Sequence, residues 1–155
     1  MKRYLLSFFA AYALACGASF AMLLAGLVNW FFGPTPVGFD ILSALTVLMV
    51  FCGVGIFSGW RAKKKGAATP RWGALFCVAA LAVLGFLESI GVEEMLSLVG
   101  MSGVTVGNAV VSAFDLTYRW GYQTYQKMVW PAVGTLSAAA QGVIFHLGWT
   151  LGRKE

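Results

Sequence analysis

Charge is scarce in this chain: of 155 residues, 11% are Asp, Glu, Lys or Arg, while 59% are hydrophobic. A soluble domain carries roughly 25% charged residues, and six acids with eleven bases cannot cover the surface of a water-soluble globule this size. A bilayer covers apolar surface without them, so the composition excludes an ordinary soluble domain and points to an integral membrane protein whose first partner is lipid. The net charge of +5 does not make a nucleic-acid surface. The bases cluster beside apolar runs instead of spreading over an amphipathic face.

Catalytic chemistry is scarcer still. The chain has one histidine and no GxSxG, HExxH or P-loop pattern and no DxD-type carboxylate pair. The glycines of "GMSGVTVG", Gly100–Gly107, lack the GxGxxG spacing. A lone His146 is a poor basis for a metal site, so we expect no enzyme, no cofactor and no bound metal. Cys16, Cys52 and Cys77 lie inside apolar runs without CxxC spacing and read as small hydrophobes. A redox pair of Cys52 and Cys77 is the only thiol chemistry the spacing offers.

What the chain does have is long apolar runs. Residues 4–32, 39–60, 72–92 and 129–152 each suit a transmembrane helix, which needs ~20 residues to cross ~30 Å of hydrocarbon. The first run follows Met-Lys-Arg, and "ALAC" at Ala13–Cys16 has the look of a lipoprotein cleavage site. The run continues sixteen residues past Cys16, however, and Ala13 stands where such a site carries a larger aliphatic residue, so we read an uncleaved signal-anchor. "GPTPVG", Gly33–Gly38, turns the chain between the first two runs. Proline at Pro131 opens the last run, where a helix tolerates it best.

Orientation follows from the bases. "RAKKKGAATPR" reads as a basic loop in which Arg61, Lys63, Lys64, Lys65 and Arg71 face no acid. The positive-inside rule puts it in the cytoplasm with Lys2 and Arg3. Such a loop also suits anionic headgroups or an acidic cytoplasmic partner. Trp60 and Trp72 flank it as interface anchors, and a bacterial plasma membrane fits this pattern.

Residues 94–119 are ambiguous. Within the uncharged stretch Met95–Phe114, Gly, Ser, Thr and Asn dilute the apolar residues. Helical spacing places Glu94, Ser97, Thr105, Asn108, Ser112, Asp115 and Arg119 on one stripe, opposite Leu96, Val99, Val106 and Val110. Counting bases does not decide whether it crosses: nine fall inside and two outside either way. We expect an amphipathic or re-entrant outer segment that does not cross, followed by an aromatic belt at "YRWGYQTYQKMVW". The expected fold is therefore a single all-α membrane domain over 1–155: a four-helix transmembrane bundle with both termini cytoplasmic. A five-span form is the alternative.

Small residues recur every four positions at Ala13, Gly17, Ala21 and Ala25, and again at Gly134, Ala138 and Gly142, with a GxxxG at Gly103 and Gly107. Such faces let membrane helices approach closely, within the chain or against a partner. Intramembrane ionisable groups are few. Asp40 suits a helix first turn, and His146, four residues beyond Gly142, is placed to hydrogen-bond across a tight helix contact. These features lead us to expect a non-catalytic accessory subunit of a larger membrane protein complex, associating with other membrane subunits or with itself. The alternative is an oligomeric channel or transporter protomer for a small solute or ion. Its polar path would run over Glu88, Thr105, Asn108, Ser112, Asp115 and His146.

Overall fold

The computed structural model describes residues 1–31, 37–90, 105–115 and 121–154, and every regular element among them is helical. Helix α1 is Lys2–Trp30, α2 is Val37–Lys64, α3 is Gly73–Ser89 and α4 is Thr105–Phe114. Helix α5, Trp130–Lys154, is entered through one helical turn, Tyr122–Thr124, and a π turn, Tyr125–Val129. α1, α2 and the stretch Lys127–Lys154 are long and apolar enough to cross a membrane. α3 and α4 are apolar but shorter. In lipid the backbone must satisfy its own hydrogen bonds, which is why uncharged runs of this length settle as helices.

Three boundaries differ from the sequence reading. The third run forms a helix of 17 residues, about 26 Å long at 1.5 Å per residue, and residues 91–92 lie outside the described residues. The second run does not stop at Trp60. Arg61, Lys63 and Lys64 form the last turn of α2, so the basic loop begins only at Lys65. Cations at that end complement the helix dipole. The helix closes where Gly66 takes a left-handed φ of 64°. There Ala67 N–H donates to Ala62 O and Gly66 N–H to Lys63 O, each at 3.0 Å, the hydrogen-bond pair of a Schellman cap.

The third difference concerns Pro131, which is in the opening turn of α5 as expected, although the helical path starts earlier, with Tyr122–Thr124 and the π turn running into α5 without a break. Proline lacks an N–H and its ring presses on the carbonyl four residues back. The π turn Tyr125–Val129 lies just before it and widens the ring of backbone hydrogen bonds where that pressure falls.

α5 is the hub. It packs against α2 and α3, and α1 lies mainly on α2. The buried stripe of α1 is Tyr4, Phe8, Ala11, Ala15 and Ser19, and its first turns reach Phe145 and Trp149 of α5 through ring contacts. Where α2 meets α5 the approach is backbone to backbone. A Cβ on Gly55 would lie 2.6 Å from Phe145 O, and one on Gly148 would lie 2.6 Å from Cys52 O. Gly59 and Gly152 are equally closed, against Trp149 O and Ile56 O. α3 makes a second such seam: a Cβ on Gly85 would stand 2.7 Å from Gly134 O, and one on Gly142 2.8 Å from the Cys77 carbonyl carbon.

These contacts fix the directions. The start of α1, the end of α2, the start of α3 and the end of α5 share one end of the bundle, as the Lys63 Nζ to Lys154 O hydrogen bond of 3.4 Å also requires. Nine of the eleven bases lie at that basic end. α4 lies at the opposite end, where a Cβ on Gly107 would touch the ring of Trp130 at 3.3 Å and Ser112 bonds Asp40 in the first turn of α2.

Candidate functional site

The two small-residue faces read from the sequence have different fates. Gly134, Ala138 and Gly142 are buried against α3. Ala13, Gly17, Ala21 and Ala25 all point out of the bundle, and a Cβ on Gly17 would meet nothing within 4 Å. At 100° per residue Ala13 and Gly17 lie about opposite Ala11 and Ala15, the part of α1 that faces the chain's own core, while Ala21 and Ala25 drift round toward that side as the helix advances. α1 is also the least buried of the three long helices. Of its most apolar eighteen residues 17% are buried, against 28% in α2 and 33% in the last helix.

At the end opposite the bases, α1, α2 and α4 enclose an open cavity of about 450 Å³. Its apolar wall includes Met22, Leu23, Leu27 and Phe39, and its polar wall Ser19, Asp40, Ser43, Thr105 and Asn108. Helical spacing accounts for the convergence, since Thr105, Asn108 and Ser112 follow one another by three and four residues on α4. The Asp40 carboxylate accepts a hydrogen bond of 2.9 Å from the Ser112 hydroxyl and has no cationic partner among the described residues. Ser43 is occupied, donating to Phe39 O at 2.8 Å. The Ser19 hydroxyl is buried and has no hydrogen-bond partner among the described residues. A cavity of this size with a few polar groups on an apolar wall has the form of a small-molecule site.

The polar path expected from the sequence is thus divided. Thr105, Asn108 and Ser112 come together with Asp40. Asp115 is exposed just past α4 with φ 51°, and the side chain of Glu88 lies outside the described residues, as do Glu94, Ser97, Gly103 and Arg119. His146 belongs to another cluster near the basic end. There Tyr4 Oη lies 2.9 Å from His146 Nδ1, and Cys77 Sγ donates to Tyr4 Oη at 3.5 Å. The three cysteines are free thiols.

The bases divide as well. Lys64 stacks 3.6 Å from the centre of the Trp60 ring, Lys63 bonds Lys154 O, and Arg153 donates to Thr69 Oγ1. Arg71 is exposed. Arg61 and Lys65 turn instead toward Arg3, around a notch of about 240 Å³ between α1 and α2.

Sequence reasoning missed Gly55, Gly59, Gly148 and Gly152, although each pair has the same four-residue spacing as the faces it did single out. It also separated Asp40 from the α4 stripe that meets it. No family model, curated protein or solved structure matches the chain.

Proposed function

We propose that this protein is a small, non-catalytic subunit of a larger assembly in a membrane, holding its partner through the outward face of α1. The carrying observation is that Ala13, Gly17, Ala21 and Ala25 remain outside the bundle while Gly134, Ala138 and Gly142 are used within it. Small residues give a helix no advantage against lipid tails, but they let a second helix approach closely enough for dispersion and weak backbone contacts to hold it. The partner is another membrane subunit or a second copy of this chain.

In this reading the chain crosses four times, α3 included, with α4 in the outer leaflet and both termini in the cytoplasm. The single basic end supports that orientation under the positive-inside rule, and a bacterial plasma membrane is the setting it fits. The described part of α4, Thr105–Phe114, covers ~15 Å, about half of the hydrocarbon thickness.

The deciding experiment is extraction in a mild detergent followed by sizing and crosslinking, for the wild type and Gly17→Leu. The wild type should migrate as a complex, and Gly17→Leu as the lone chain with an unchanged unfolding midpoint. A wild type recovered only as a monomer removes the proposal.

A second reading, a channel or transporter protomer for a small solute or ion, is favoured by the cavity that joins Asp40 to Thr105, Asn108 and Ser112. Solute flux in proteoliposomes tests it, and equal flux in the wild type and Asn108→Leu counts against this path.

A further inference from the structure

The notch at the basic end is built of donors. Arg3 and Ser7 are one turn apart on α1, while Ser58, Arg61 and Lys65 follow at three and four residues along the end of α2, so all five line one face of the cleft between the two helices. Trp149 of α5, 2% exposed, forms part of its wall. Arg3, Arg61 and Lys65 make no ion pair with any described residue, and none of the described acids lies at this end of the bundle. Leu6 and Phe57 line the same cleft and are 71% and 57% exposed.

We propose that this notch binds the phosphate of an anionic phospholipid. Three cations lining one notch match a phosphate oxyanion, which accepts several charge-assisted hydrogen bonds at once. The guanidinium groups of Arg3 and Arg61 suit bidentate contact with phosphate oxygens. Leu6 and Phe57 offer an apolar track for an acyl chain beside the headgroup. Basic pockets between membrane helices at this level recognise headgroups by the same means. Of the six other cations of this end, three are held elsewhere, Lys64 by Trp60, Lys63 by the end of α5 and Arg153 by Thr69, while Lys2, Arg71 and Lys154 are exposed and line no part of the notch.

The test is native mass spectrometry of the full chain carrying lipid, from equal mixtures of phosphatidylglycerol and phosphatidylcholine, with inorganic phosphate as a soluble competitor. The wild type should retain phosphatidylglycerol in preference, and Arg61→Gln/Lys65→Gln should lose about thirtyfold of that preference, since each of the two cations near an anionic lipid contributes ~1 kcal/mol. Lys64→Gln should match the wild type. Equal retention of the two lipids, or an equal loss in Lys64→Gln, overturns the site. Displacement of the lipid by millimolar inorganic phosphate assigns the notch to soluble phosphate and overturns the lipid assignment.

Discussion

The Tyr4 hydroxyl and His146 Nδ1 stand 2.9 Å apart, joining the first turn of α1 to the C-terminal half of α5. Cys77 Sγ donates to the same hydroxyl oxygen from α3 at 3.5 Å. While accepting from the thiol the hydroxyl keeps its own hydrogen, which it gives to Nδ1 when the imidazole hydrogen is on Nε2; with the hydrogen on Nδ1 the hydroxyl accepts from both. Three helices thus meet at one side chain. The ring of Tyr4 also packs edge-on against Trp149 and Phe145, at centroid distances of 4.9 and 5.4 Å.

Removing that hydroxyl should uncouple α1 from α5. In a double-mutant cycle of Tyr4→Phe with His146→Leu, unfolding in mixed micelles should give a coupling of about 0.6 kcal/mol, and no more than roughly 1.7, the range of interhelical hydrogen bonds in membranes. A coupling indistinguishable from zero would mean that the two residues do not bond in the folded protein.

The glycine seams make a sharper contrast. Gly55→Val and Gly148→Val drive a side chain into a carbonyl oxygen and should each lower stability by about 1–3 kcal/mol or more, as overpacking does. Gly53→Val, two residues from Gly55 but with nothing within 4 Å, should change the midpoint far less. Equal midpoints for Gly53→Val and Gly55→Val would contradict the close approach of α2 and α5.

Sidedness is open to labelling. In a chain whose own cysteines are replaced by serine, Lys65→Cys and Lys154→Cys should react with an impermeant thiol reagent from one face of the membrane, and Asp115→Cys from the other. Labelling of Lys65→Cys and Lys154→Cys from opposite faces would require an odd number of crossings and would bring back the five-span form.

The sequence made the long apolar helices legible, along with the close-packing face of Gly134, Ala138 and Gly142 and the grouping of Thr105, Asn108 and Ser112. The reason is that length, small-residue spacing and polar periodicity are local. It did not reveal which face of α1 turns inward. In water an apolar stripe marks the buried side, but in lipid both sides of α1 are apolar, and Phe8 and Phe9 differ in burial without differing in type. Nor could spacing show that Asp40 meets Ser112, because that contact depends on how α4 is set against the start of α2. The ends of α2 and α5 shifted for a related reason: hydropathy marks where the lipid stops, and the helix stops at its cap, Gly66 for α2.

The seam between α2 and α5 also limits how the bundle can deform. Gly55 and Gly59 lie against carbonyls of α5, while Gly148 and Gly152 lie against carbonyls of α2, so each helix carries notches that the other's backbone occupies. Sliding by one residue would push a side chain into a notch, and even a four-residue step, ~6 Å of travel, would bring Lys63 to the position of Gly59. The pair is keyed like a shaft in its slot. α3 is locked to the same shaft by Gly85 and Gly142. α1 and α4, the two helices that wall the 450 Å³ cavity together with the start of α2, carry no glycine closed against a neighbour's backbone among the described residues, and side chains alone hold them to the keyed pair.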